Sequence, residues 1–259
     1  MDGNSTGLND FASRVLMGQV PGVSRVAAIG TRTVPVAVTG LATAEDIWEG
    51  AAAGYPWMLA DTALEAVSDN VNDTAAGTGA QSINVQGVLS AGTATNSGNI
   101  PLNGLTPVSV GTHYRINLAN TGMVTPIAGA QTNLGTITIR DVVGGTVRAV
   151  IPPRQRTAQQ CVYTPPLGFF LNIFAVEIEL LEAAGGASRH IDAALYFRFA
   201  NSASGRPRKI QCSDGAPFTL NAGARIPVGP MTDFAVSCAF SSTNGIKIGA
   251  AFEGHLYKI

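Results

Sequence analysis

Three histidines, a row of glutamates and an oxygen-rich loop are the residues whose types and spacing come nearest to chemistry. His113, His190 and His255 lack the i, i+2 or i, i+4 partners that a metal site on a strand or helix needs. His190 and Asp192 stand two apart, a spacing that can orient an imidazole. No nucleophile motif such as G-x-S-x-G accompanies them, so a surface histidine at a turn is expected. Glu177, Glu179 and Glu182 form a carboxylate cluster. Glycosidases place two carboxylates roughly 5–9.5 Å apart, and residues two apart on a strand lie roughly 6.5–7 Å apart at Cα. These glutamates nevertheless fall on the outward face of an alternating strand, where charge is expected anyway. Asp69-Asn70-Val71-Asn72-Asp73 is rich in oxygen but lacks the glycine and distal glutamate of an EF-hand loop. A turn bonded to its own backbone is the expectation there, with a loop calcium site as the alternative. Gly77-Thr78-Gly79 lacks the third glycine of a dinucleotide loop. Arg154-Gln155-Arg156 and Arg206-Pro207-Arg208-Lys209 are expected in solvated loops. Pairing with a neighbouring subunit's glutamates, or contact with anionic glycan, is their alternative. Cys161, Cys212 and Cys238 are too few and too spread for a disulfide framework or zinc site, and read as buried small hydrophobes or free thiols. No catalytic residue, metal or cofactor is expected.

Composition narrows the class further. Charged residues make up 13 % of the 259 positions, against about a quarter in a typical domain. The shortfall is local: residues 74–140 contain only Arg115 and Arg140 and no carboxylate, an odd setting for catalysis. Sixteen basic against 17 acidic residues argue against a nucleic-acid partner. An apolar content of 46 % argues against disorder. No run approaches about 18 apolar residues, so membrane insertion is not expected, and no cationic start leads into an apolar run as in a secretory signal. Arginine far outnumbers lysine, as suits planar pairing at contacts between subunits or, equally, a GC-rich genome.

Behind these residues stands a chain that changes character along its length. Leu8, Phe11, Ala12, Val15 and Leu16 follow a helical stripe, with Asn9 as cap and Gly18 as stop. Residues 20–41 show no sustained period and read as an extended arm. Thr43 and Asp46 resemble a capping box opening a short helix through Ile47, Trp48 and Ala53. Such an arm, with apolar anchors but no core of its own, must pack on the rest of the chain or on a neighbouring protein. From Tyr55 the signal turns to β, with short strands at 82–88, 105–110, 114–118 and 136–140 between turns rich in Gly, Asn and Thr. Val142 to Val147 reads as a hairpin about Gly144-Gly145. Four rows then alternate strictly: Phe170, Phe174, Val176, Ile178 and Leu180; Ile191, Ala193, Leu195, Phe197 and Phe199; Phe234, Val236, Cys238 and Phe240; Ile246, Ile248, Ala250 and Phe252. Period two with one apolar face describes antiparallel sheets packed face to face. The expected fold is mainly β, with two antiparallel, jelly-roll-like β-sandwich domains behind a short helical or extended N-terminal arm. The expected divisions are residues 1–57, 58–134 and 135–259.

Several stretches resemble virion structural proteins of tailed bacteriophages, the head-fibre, capsid-decoration or tail-associated β-sandwich kind. Residues 63–87 contain Asn72-Asp73-Thr74-Ala75-Ala76-Gly77-Thr78-Gly79-Ala80, similar to the N-D-T-x-x-G-T-G-A segment that leads into a strand in those proteins. Glu45-Asp46-Ile47-Trp48-Glu49-Gly50 resembles their E-D-x-W-x-G. Residues 134–141, Gly144-Gly145-Thr146-Val147 and residues 162–168 resemble their second β-domain. The sequence departs from the pattern between Leu89 and Val110, where it is shorter and uncharged.

The resemblance implies a non-enzymatic protein on the exterior of a tailed-phage virion, of the decoration or head-fibre type. Its partners would be itself, as a homo-oligomer and trimer, and other virion proteins of the capsid or of the neck and tail. Anchoring would run through residues 1–57, with Phe11, Leu16, Ile47 and Trp48 as contacts. The alternative is a tail fibre or spike that recognises host surface glycan through exposed loops and aromatics such as Tyr196 and Tyr257. A glycan depolymerase is the third reading.

Overall fold

Alternation decides most of the architecture, because an apolar residue at every second position gives a strand one face to bury. The computed structural model describes residues 14–15, 19–122, 132–182, 190–199, 206–213, 218–242 and 244–259. Its strands are β1 (Val23–Val34), β2 (Glu45–Asp46), β3 (Thr62–Ser68), β4 (Ser82–Val88), β5 (Ala94–Asn96), β6 (Ile100–Pro101), β7 (Val108–His113), β8 (Arg115–Gly122), β9 (Ile137–Asp141), β10 (Val147–Ile151), β11 (Val162–Tyr163), β12 (Phe169–Glu182), β13 (His190–Phe199), β14 (Arg206–Ser213), β15 (Phe218–Val228), β16 (Thr232–Ser241) and β17 (Ile246–Lys258). The fold is mainly β, as expected, with strands over 57 % of the chain and almost no helix.

Among the described residues the strands form four small antiparallel sheets, ordered β1-β17-β12-β15, β11-β16-β13-β14, β10-β9-β3-β7 and β5-β4-β6, with β2 added to β16 and β8 to β4. One core joins the first two sheets through Ile173 and Val176 of β12, Ile248 and Phe252 of β17, Leu195 of β13 and Phe234 of β16. A second core joins the other two through Leu64 of β3, Ile139 of β9, Ile83 of β4 and Ile116 of β8. The four sheets do not resolve into two clear sandwich domains in chain order behind a helical arm. The division expected at 134–135 is not where the sheets divide, because β9 and β10 lie beyond it and yet belong to the sheet of β3, with β9 paired to β3 and β10 to β9.

The expected arm is the largest correction. Residues 23–34 pair along their whole length with β17, so the stretch is an edge strand of the C-terminal sheet. The short helix expected from Thr43 is a 3-10 turn at Leu41–Thr43 followed by β2. Asp46 therefore bonds across to β16 rather than capping a helix. Val34, Val38 and Ile47 enter the first core, so this stretch shares the chain's own core. Of the helical stripe expected at 8–16, Val15 is described and buried, whereas Leu8, Phe11, Ala12 and Leu16 lie outside the described residues.

The rows on β13, β16 and β17 face inward as expected through Leu195, Phe234, Val236, Ile246, Ile248 and Phe252. On β12 the parity breaks. A bulge between Ile173 and Ala175 moves the register by one, so Leu171 and Ile173 are buried where Phe170 and Phe174 were expected. Phe174 instead packs on His255, ring centroids 4.8 Å apart. A second irregularity, beside Ala193, leaves Phe240 half-buried against His190. The basic run 206–209, expected in a loop, belongs to β14, and Pro207 is tolerated because β14 is an edge strand.

The hairpin between β9 and β10 carries a strain that can be tested. Its positive φ values fall on Val143 (63°) and Gly144 (71°), one residue earlier than the Gly-Gly pair suggests. A β-branched residue is disfavoured there, and Val143 is 95 % exposed, so no packing offsets the cost. Replacing Val143 by Asn, which tolerates this conformation, is expected to stabilise the protein by about 1 kcal/mol and raise Tm by roughly 2–4 °C. An unchanged melting curve would contradict the strain.

Candidate functional site

The segments around Asp73 and around Trp48 are both structural devices. In the first, the β3–β4 connection wraps around Asp73, which is fully buried. Its carboxylate accepts the Ser68 hydroxyl (2.6 Å) and the backbone N–H groups of Ala80, Leu134 and Gly135 (2.9 Å each). One side chain thus ties the end of β3, the start of β4 and the entry to β9. The glycines follow from close approach: a Cβ on Gly79 would lie 2.1 Å from Asp73 Oδ1, and one on Gly135 would lie 2.1 Å from Asp69 Oδ1. Asn70 Oδ1 accepts the Asn72 N–H (2.9 Å) and Asp69 Oδ1 accepts the Thr136 N–H (2.8 Å), so the turn is bonded to backbone as expected. Among the described residues, no three His, Cys, Asp or Glu side chains gather as a metal site would require.

In the second motif, Glu45 pairs with the buried Arg32 at 2.7 Å. Asp46 accepts the Ser237 hydroxyl and the Tyr55 N–H. Burial pushes the Asp46 carboxyl above its usual range, against the pull of those two donors and of Arg32 and Arg198. Trp48 is 1 % exposed and its indole N–H donates to the Ala52 carbonyl at 2.9 Å. A Cβ on Gly50 would collide with the Trp48 ring. Ile47 and Trp48, expected as contacts to a partner, are therefore buried inside this chain. Phe11 and Leu16 lie outside the described residues.

The strongest electrostatic feature joins these pieces. Arg115, on β8, meets Asp233, on β16, in a two-pronged ion pair with Nε–Oδ1 at 2.7 Å and Nη2–Oδ2 at 2.8 Å, both side chains almost fully buried. Arg115 Nη1 donates to the Met58 and Tyr114 carbonyls (2.6 and 2.7 Å), and its guanidinium lies 3.7 Å from the Tyr114 ring centre. Asp233 also accepts the Thr164 hydroxyl (2.7 Å) and Arg198 Nε (3.1 Å). Above this network opens a cleft of about 240 Å³ lined by Asp46, Trp57, Tyr196, Arg198 and Asp233. No spacing in the sequence announces it, because its parts come from β2, the segment after β2, β13 and β16. The outward parity of Arg198 is the one legible sign.

No family model matches the chain, and no curated protein matches it. Among solved structures, that of infectious bursal disease virus Gt strain shares 12 % identity over 95 % of this chain and 77 % of that chain, with a TM-score of 0.22. The infectious bursal disease virus VP2 subviral particle shares 12 % over 96 % and 77 %, with a TM-score of 0.26. Superpositions at that level carry no argument about this chain.

The remaining sequence candidates are placed as follows. Glu177 and Glu179 are exposed on the outer face of β12. His190 Nε2 meets Asp192 Oδ1 at 2.8 Å, the orientation its spacing allows. Cys161 and Cys238 are both buried, and burial pushes the Cys161 thiol well up. His113 is 1 % exposed, with Nε2–H donating to the Val110 carbonyl and Nδ1 accepting the Thr95 hydroxyl. Burial lowers its pKa. The stability it contributes is thus complete above the unfolded value of about 6.5 and falls as the pH drops through it toward the folded value. The urea midpoint should decline between pH 7 and 5, and His113→Gln should flatten part of that decline. An equal slope in both proteins would contradict it.

Proposed function

We propose that this chain is a non-enzymatic structural protein on the exterior of a tailed-phage virion, of the capsid-decoration or head-fibre type. One observation supports it most: the residues that carry the phage resemblance hold backbone together around Asp73 and Trp48. In this reading the paired sheets act as β-sandwich modules about a symmetry axis, in a trimer. Because Ile47 and Trp48 are internal, anchoring falls to the residues before β1, with Phe11 and Leu16 as its contacts.

Deleting all of residues 1–57 would remove β1 and β2 and so test folding rather than anchoring. The sharper experiment changes Phe11 and Leu16 to Ser and follows incorporation into particles by immunogold labelling. Loss of label with a preserved melting temperature is expected, and normal incorporation would refute the anchor. Absence of the unaltered chain from purified particles would refute the virion reading itself. Sedimentation equilibrium at the mass of a monomer would refute the trimer. A second reading, a fibre or spike recognising host glycan, draws on the aromatic and polar cleft beside Arg198.

A further inference from the structure

We propose that the cleft between β2 and the outer face of β13 and β16 binds a single uncharged pyranose ring. The assignment goes beyond the virion reading and does not depend on it.

Strand geometry builds the cleft floor. Tyr196 lies opposite Ala235 and Arg198 opposite Asp233 across β13 and β16, while Asp46 of β2 lies opposite Ser237. Period two turns these residues away from the core that holds Leu195, Phe234 and Val236. The floor thus combines a small residue, an aromatic, a cation and an anion on one face. Trp57, half-buried, forms a wall 5.2 Å from the Arg198 guanidinium.

The chemistry matches a sugar. Arg198 uses Nε on Asp233, and its two terminal amino groups carry no bond to another described residue. They are donors held in place by that bond and by the Trp57 ring. Asp46 has each oxygen engaged once, by Ser237 and by the Tyr55 N–H, which leaves acceptor capacity on both. A fixed donor beside a fixed acceptor suits neighbouring hydroxyls, each of which gives and takes a hydrogen bond. Tyr196, whose hydroxyl donates to the Leu41 carbonyl at 3.2 Å, has its ring held at the cleft edge, where it can meet the C–H face of a ring.

Charge and size restrict the ligand. Arg115 and Arg198 both pair with Asp233, and the Asp46 carboxyl lines the same cleft, so no unpaired cation favours an acidic sugar. The volume of about 240 Å³ falls below the roughly 300–1,000 Å³ of pockets for drug-sized ligands, which suits one ring rather than an oligosaccharide buried along its length.

The test uses the full purified chain with the methyl glycosides of glucose, galactose, mannose and N-acetylglucosamine, and with glucuronic acid as the charged arm. Saturation-transfer difference NMR reads contact with the sugar, and titration reads affinity. At least one neutral glycoside should show transfer with Kd of order millimolar, an affinity suited to one ring. Tyr196→Ala and Arg198→Lys, each checked for native far-UV circular dichroism, should weaken it by about tenfold or more, the loss expected for one charged hydrogen bond or one aromatic contact. No transfer from any neutral glycoside, transfer unchanged in both variants, or a response to glucuronic acid alone would each overturn the assignment. None of those outcomes bears on particle incorporation, so failure here is separable from failure of the virion reading.

Discussion

Arg115→Ala should lower the unfolding free energy by about 3–5 kcal/mol, the cost of leaving one member of a buried ion pair without its partner. Asp233 would keep the Thr164 hydroxyl and Arg198 Nε but lose both prongs of the guanidinium, and the Met58 and Tyr114 carbonyls would lose their donor. Arg115→Lys keeps the charge yet cannot reproduce the fork, so it should recover less than half of the loss. The pair also links β8, whose Ile116 lies in one core, to β16, whose Phe234 lies in the other. Urea unfolding followed by fluorescence and by circular dichroism should therefore coincide in the unaltered protein and separate in Arg115→Ala. A loss below about 1 kcal/mol with coincident curves would show that the pair is replaceable and that other contacts couple the cores.

That pair also explains part of what the sequence could reveal. The charge-poor stretch 74–140 stood out, and its two arginines prove to be partnered, Arg115 with Asp233 and Arg140 with Glu65. The arginine excess has a local counterpart, since Arg32 and Arg148 also pair with carboxylates of the same chain. Arg115 and Asp233 lie 118 residues apart and Arg140 and Glu65 lie 75 apart, so spacing could not announce those two pairs. Strand β17 was legible because its inward positions run Ile246, Ile248, Ala250 and Phe252 in strict alternation before Gly254 and Leu256. Strand β1 was not, because its buried positions are Gly30, Arg32 and Val34. A Cβ on Gly30 would lie 2.6 Å from the Cys161 nitrogen, and Arg32 is neutralised by Glu45, so glycine and arginine hold places where a strand pattern shows Val or Ile. The bulge on β12 was invisible for a different reason: Phe170 and Phe174 are apolar on either face, so the pattern reads continuously through a shift of register. The cleft was illegible because it exists only once β2 has paired with β16.

The second large effect falls on Asp73, and its size order distinguishes a clamp from a ligand-binding loop. Asp73→Ala removes the acceptor of three backbone N–H groups and one hydroxyl at a site with no exposure. At about 1–3 kcal/mol for each unmade buried bond, partly offset by water entering, a loss of about 4 kcal/mol is expected. Asp73→Asn keeps the shape. Its oxygen in the Oδ1 place retains the Ala80 and Leu134 N–H groups, and its amide in the Oδ2 place can donate to the Ser68 oxygen but faces the Gly135 N–H donor to donor. One unsatisfied pair predicts roughly 2 kcal/mol, about half the alanine cost. Both variants should behave identically with millimolar calcium or with a chelator, because the carboxylate oxygens are occupied by donors of the chain itself. If calcium raised the melting temperature of the unaltered protein and not of Asp73→Asn, the loop would be a metal site and the clamp would be wrong. If Asp73→Asn cost as much as Asp73→Ala with no calcium response, the negative charge, rather than the number of acceptors, would be what organises the β3–β4 connection.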